Sequence, residues 1–189
     1  MRRLRGITLI EMIIALVLMA IAITTFASFL MPQIRDSALP SYQTRAASLA
    51  QGFLSQIMAR SFDHNSDRDG GGIRCNEGVV LCTPAKALGS DSGESNSSQF
   101  NDVDDYIGCW GTPETLSQCQ GDNRGHITNV LGESSADKYR NFRVEVSVVY
   151  DNLNSPIPAL EATDYKKITV SIFASYTQPL TLVAIRGNY

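Results

Sequence analysis

The sequence predicts an α+β protein: a long N-terminal helix laid on a small antiparallel sheet, with a loop-rich, disulfide-bonded insertion between them. Three observations carry that expectation. Every residue from Met12 to Ile23 is hydrophobic, and only Thr24, Thr25 and Ser28 interrupt the run as far as Met31. A helical apolar stripe follows between Tyr42 and Phe62. Two alternating segments near the C-terminus read as strands. The 189 residues are 43% hydrophobic and 19% charged, too apolar for a disordered chain and enough for one domain of ordinary size.

Residues 1–6 form a short basic leader, with Arg2, Arg3 and Arg5 ahead of the apolar run. That layout is an export signal of the positive-inside kind. Formal charge is −3, and loss of those three arginines leaves 13 basic against 19 acidic residues, a charge of −6. Such a surface does not attract a phosphate backbone, and no basic stripe is evident, so nucleic-acid binding is not expected.

Residues 7–31 are long enough to cross about 30 Å of hydrocarbon as a helix. An ordinary signal peptide would be removed after this segment, and Thr25-Phe26-Ala27 before Ser28 offers a small-residue cleavage site. Glu11 argues against removal. A buried aspartate at a membrane centre costs about 2.5–3.5 kcal/mol on insertion scales, less near the interface, and a discarded segment gains nothing from a comparable cost.

The string Gly6-Ile7-Thr8-Leu9-Ile10-Glu11 resembles the prepilin cleavage motif of type IV pilins and type II secretion pseudopilins. The resemblance implies that a prepilin peptidase and methyltransferase cuts after Gly6, that the new terminus Ile7 is N-methylated, and that the apolar segment stays on the mature chain. The first mature residue of that family is most often Phe, so Ile7 is a departure at a permissive position. Glu11 then lies four residues beyond the new terminus. Its implied role is assembly: a carboxylate and a neighbouring chain's ammonium are both costly in lipid, and a pair at about 4 Å is worth roughly 4 kcal/mol at an effective dielectric of 20. Glu11 also complements the positive end of its own helix dipole. The implied partners are other pilins, major and minor, through the N-terminal helix. The implied location is the inner membrane, single-pass with a periplasmic C-terminal domain, before assembly and the surface pilus afterwards.

Residues 32–62 are expected to continue as an amphipathic helix. Pro32 should kink or loosen it, and Asp36 or Ser37 could cap a fresh start before Pro40. Beyond Pro40, the positions Tyr42, Ala46, Leu49, Ala50, Phe53, Leu54, Ile57, Met58 and Phe62 recur at three and four residues and need a sheet to cover them. That sheet is expected in residues 142–189. Phe142, Val144, Val146 and Val148 alternate with polar residues, as do Ile168, Val170, Ile172 and Ala174, and Leu180 to Ile185 follows through the short link Gln178-Pro179.

Residues 63–141 are dense in Gly, Ser, Asn and Asp and read as mostly loop. Four cysteines lie there, on the exported side, where disulfides form. They allow three connectivities. Pairing Cys75 with Cys82 and Cys109 with Cys119 closes two short loops, each worth roughly 2.5–3 kcal/mol in the chain-entropy model. A zinc site would need tighter spacing and a histidine pattern that His64 and His126 do not supply. Asp63, Asn65, Asp67 and Asp69 before Gly70 match the opening of a calcium loop, but position twelve is Asn76 and no second helix is evident. A solvated acidic loop has the same composition. Some secretion pseudopilins bind calcium beside the sheet, and Asp102, Asp104 and Asp105 could add ligands; no cofactor is required.

Phe62-Asp63, Gly70-Gly71-Gly72, Arg74-Cys75, Cys82-Thr83, Gly89-Ser90-Asp91-Ser92-Gly93-Glu94 and Phe100-Asn101-Asp102-Val103-Asp104-Asp105-Tyr106 resemble the D-type minor pilins of the mannose-sensitive haemagglutinin (MSHA) pilus system. The resemblance implies a structural subunit that takes part in pilus assembly or initiation and so in surface attachment. No cysteine pair lies near the C-terminus, unlike in major adhesive pilins. Nucleophile-base pairs, phosphate loops and facing carboxylates are not evident, so no catalytic residue is expected and the protein does not read as an enzyme. Two other readings share these features: a minor pseudopilin of a type II secretion system, and an adhesive or ligand-binding ectodomain on a membrane anchor.

Overall fold

The computed structural model describes residues 8–67, 72–121, 123–129, 133–175 and 177–189. It comprises two compact units, Met1–Ser41 and Tyr42–Tyr189. A single helix, α1 (Leu9–Met58), contributes to both. Among the described residues five strands follow: β1 (Gly108–Gly111), β2 (Arg124–His126), β3 (Phe142–Asp151), β4 (Tyr165–Ala174) and β5 (Leu180–Gly187).

The first unit is the apolar half of α1. Its large side chains from Leu9 to Leu39 are exposed, and none of its most hydrophobic stretch is buried within the protein. Side-chain hydroxyls are absorbed locally. Thr24, Thr25, Ser28 and Ser37 each donate back to a carbonyl three or four residues earlier. Contrary to the sequence expectation, α1 does not restart at Asp36 or Ser37. Pro32 and Pro40 both lie inside it. Each proline removes one backbone donor, and the ladder on either side is long enough to carry the helix through.

The second unit is built as the periodicity predicts. Ala46, Leu49, Ala50, Phe53 and Ile57 form the buried stripe of α1, with Tyr42, Leu54 and Met58 half-buried beside it. The helix ends at Met58 rather than near Phe62, because Ser61 leaves to pair with Asp102: its N–H donates to the Asn101 carbonyl, and its own carbonyl accepts from Val103.

The sheet has the order β2-β1-β3-β4-β5, antiparallel except for the β1-β2 pair. Phe142, Val144, Val146 and Val148 of β3 and Ile168, Val170, Ile172 and Ala174 of β4 turn inward, in a register that sets Val146 opposite Val170. Residues 63–141 are mostly loop, as expected, but contribute the short strands β1 and β2, which extend the sheet beyond residues 142–189. Their sequences, Gly108-Cys109-Trp110-Gly111 and Arg124-Gly125-His126, are too short and glycine-rich to alternate. They pair because the Cys109–Cys119 disulfide and an aromatic cluster hold them. Trp110 packs against Phe53, Phe100 and Tyr106, and its indole N–H donates to the Tyr106 carbonyl at 3.0 Å.

Candidate functional site

At the head of α1, Thr8 and Glu11 cap the helix reciprocally. The Glu11 carboxylate accepts from the Thr8 N–H at 3.2 Å, and the Thr8 hydroxyl accepts from the Glu11 N–H at 3.4 Å. This is the Thr-x-x-Glu capping box, which satisfies two amides that a helix start otherwise leaves without partners. Gly6 and Ile7, the cleavage and methylation positions, lie outside the described residues.

Within the second unit, the carboxylates of the central segment converge on one lysine. Asp63 follows the end of α1, Asp104 sits in a short 3-10 turn before β1, and Lys166 stands near the start of β4, where the pleat turns it inward with Ile168. All three are buried. Lys166 Nζ lies 2.5 Å from Asp104 Oδ1, 3.2 Å from Asp63 Oδ2 and 2.7 Å from the Phe62 carbonyl. These three acceptors match the three donors of an ammonium. The Tyr150 hydroxyl donates to the Thr83 carbonyl at 2.7 Å and contacts Asp63 Oδ2 at 3.3 Å.

Burial by itself would raise the Asp63 pKa, but the Lys166 ammonium and the N–H groups of Asn65 and Thr83 hold it below the usual carboxylate value. Asp102 shows the opposite balance. Burial first, and then the neighbouring Asp104, push it up to about 9, so it is a neutral acid at neutral pH. Burial also lifts Asp105 to about 6, with Glu94 adding to the rise and the N–H groups of Asp102 and Asn101 opposing it. Burial and the nearby Asp63 and Asp104 carboxylates drive the Tyr150 phenol far above its ordinary value, so it serves only as a donor.

Asp63 does not fit a calcium ligand. Its two oxygens already receive the Asn65 N–H, the Thr83 N–H and hydroxyl, Tyr150 and Lys166, and the ammonium stands where a cation would. Asn65 turns its amide to the Leu81 carbonyl. Asp67 is described, whereas Asp69 lies outside the described residues. Cys75 and Cys82 come close to Asp63, but they are joined in a disulfide and offer no thiolate. The second disulfide joins Cys109 to Cys119.

Sequence reading missed Lys166, Tyr150 and the Thr8 cap. The first two interrupt no pattern, since a lysine at a strand start and a tyrosine at a strand end both read as boundary residues. The cap was visible in the spacing Thr8-x-x-Glu11.

Residues 1–27 match the prokaryotic N-terminal methylation motif. No curated protein and no solved structure matches the chain. The motif implies processing by a prepilin peptidase, and with the apolar helix it fits anchoring in the inner membrane before assembly. The chain thus carries a prepilin-type methylation motif at its start and has a pilin-like fold, a long N-terminal helix packed on a mostly antiparallel sheet.

Proposed function

We propose that the protein is a minor pilin of a type IV pilus of the MSHA type, a structural subunit that takes part in pilus assembly or initiation and through it in surface attachment. The observation that supports this most directly is the first unit: an apolar helical stem with exposed side chains, a glutamate at its head, and a methylation motif that covers residues 1–27. Such a surface needs lipid before assembly and the stems of other pilins after it. In the assembled state the Ile7 ammonium of one chain pairs with Glu11 of another. The loop-rich second unit carries two disulfides, which stabilise long loops against unfolding outside the cell.

The reading is tested by tagging the chain in its native host, shearing surface filaments and blotting them. A minor pilin is found in the sheared fraction with MSHA-type pilins. Recovery only in a periplasmic export complex favours the secretion-system pseudopilin, and a chain that stays in the membrane fraction favours an anchored ectodomain.

A further inference from the structure

Lys166 stands in β4 on the face that Ile168, Val170 and Ile172 bury, so its stem cannot reach water and its side chain is fully enclosed. The rings of Phe62 and Tyr150 close over Nζ, with centroids at 4.7 and 5.2 Å. Holding two opposite charges in such a place is costly. Were a proton to pass from Nζ to Asp104 Oδ1 across their 2.5 Å contact, both charges would vanish and a neutral amine would face a neutral carboxylic acid. Those are the reactants of an amide.

We propose that Lys166 and Asp104 are joined by an intramolecular isopeptide bond, Nζ to Cγ, formed by the protein's own groups. After the proton transfer, the Nζ lone pair attacks Asp104 Cγ, and the carbonyl electron pair moves onto Oδ2. The Gly89 N–H already donates to Oδ2 at 3.1 Å and stabilises the charge that develops there. Asp63 Oδ2, 3.2 Å from Nζ, takes a proton from the attacking nitrogen and delivers it to the hydroxyl at Oδ1. The Cγ–Oδ1 bond breaks, Oδ1 leaves as water, and the carbonyl re-forms. One amine and one acid become one amide and one water, and Asp63 ends as it began.

The hydrogen bonds of the product are in place beforehand. The remaining N–H of the amide faces the Phe62 carbonyl, and its oxygen keeps the Gly89 N–H. Holding reactants in contact gives effective concentrations of about 10⁵–10⁸ M, far above that of bulk water, and burial keeps water from reversing the step. The link would tie β4 to the segment before β1, 62 residues away in sequence. It does not depend on the pilus reading, and either can fail alone.

The test is the intact mass of the full chain, purified in detergent with its cysteines oxidised. The wild type is expected to weigh one water less than the disulfide-bonded sequence, and its digest to contain one branched peptide carrying Lys166 and Asp104. Lys166→Arg is expected at full mass. Asp63→Asn keeps the Lys166–Asp104 pair but lacks the relay, and is expected to remain mostly at full mass. The wild-type mass needs no variant to fold. A wild type at full mass overturns the proposal. So does a lost water that maps elsewhere, such as to the succinimide-forming Asp69-Gly70.

Discussion

Glu11 and Thr8 satisfy each other's backbone amides at the head of α1, so one carboxylate serves its own helix while standing at the mouth of the apolar stem. Capping and charge can be separated. Glu11→Gln retains an oxygen that accepts the Thr8 N–H, a contribution of about 1 kcal/mol in caps of this kind, but loses the charge. If pairing with the Ile7 ammonium drives assembly, Glu11→Gln and Glu11→Ala both lower incorporation into filaments by roughly tenfold, the effect of about 1.4 kcal/mol, with membrane insertion unchanged. Quantitative blotting of sheared filaments and membranes reads both. Wild-type incorporation of Glu11→Gln would reduce the residue to a cap.

Asp102 and Asp105 set the pH dependence of the second unit. Each has a folded-state pKa above its unfolded value, so the folded protein holds extra protons. Their stabilising contribution is full below the ordinary carboxylate range and is lost as pH rises, through about 6 for Asp105 and about 9 for Asp102. Thermal melts are expected to fall from pH 4 to 9, most steeply below 6. Asp102→Asn mimics the protonated acid and can still accept the Asp104 N–H, which Asp102 Oδ1 receives at 2.9 Å. It is expected to raise Tm at pH 8 by at least about 2–4 °C, the shift that 1 kcal/mol gives in a chain of this size. Burial, the leading cause, remains when Lys166 is amide-linked. A Tm for Asp102→Asn at or below that of the wild type at pH 8 would mean that Asp102 is ionised.

Gly125 is the floor on which Trp110 lies. A Cβ at this position would stand 2.2 Å from Trp110 Cζ3 and 2.3 Å from Cε3, across the parallel β1-β2 pair. Gly125→Ala must displace the indole from the cluster with Phe53 and Phe100. The expected cost is about 1–3 kcal/mol, with a shift in tryptophan fluorescence, since Trp110 is the single tryptophan. Chemical denaturation followed by that fluorescence checks it, and an unchanged midpoint would contradict the packing.

Where one face is buried, the pattern was legible in the sequence. The Ala46-to-Ile57 stripe and the alternation of β3 and β4 follow from burial against one another, and the two short cysteine spacings led to the pairs seen. Pattern was silent where tertiary contacts decide. Strand β1 owes its pairing to Trp110 and the Cys109–Cys119 disulfide, and neither leaves a periodicity of two. The acidic run Asp102 to Asp105 looks solvated in sequence, but Asp104 is buried against Lys166, more than sixty positions on, while Asp102 and Asp105 are buried accepting backbone N–H groups of their own segment. Asp63 led to calcium for the same reason: oxygen spacing is visible in a sequence, but the ammonium that takes the place of the cation is not.

The donors on Asp63 give a further expectation. A chelator should leave the Tm of the protein unchanged, because both Asp63 oxygens already accept from Asn65 and Thr83. Tyr150→Phe, by contrast, leaves the part-buried Thr83 carbonyl without its 2.7 Å donor and should cost about 1–3 kcal/mol. Differential scanning calorimetry measures both. Chelator-dependent melting would place a cation on the loop.

Retention of the apolar stem is the claim on which filament assembly depends, and the N-terminus of the protein recovered from filaments tests it most directly. Sequencing combined with mass spectrometry should find N-methylated Ile7 as the first residue, followed by Thr8 and the intact stem through Met31. A mature chain beginning at Ser28, or anywhere beyond the stem, would contradict the account.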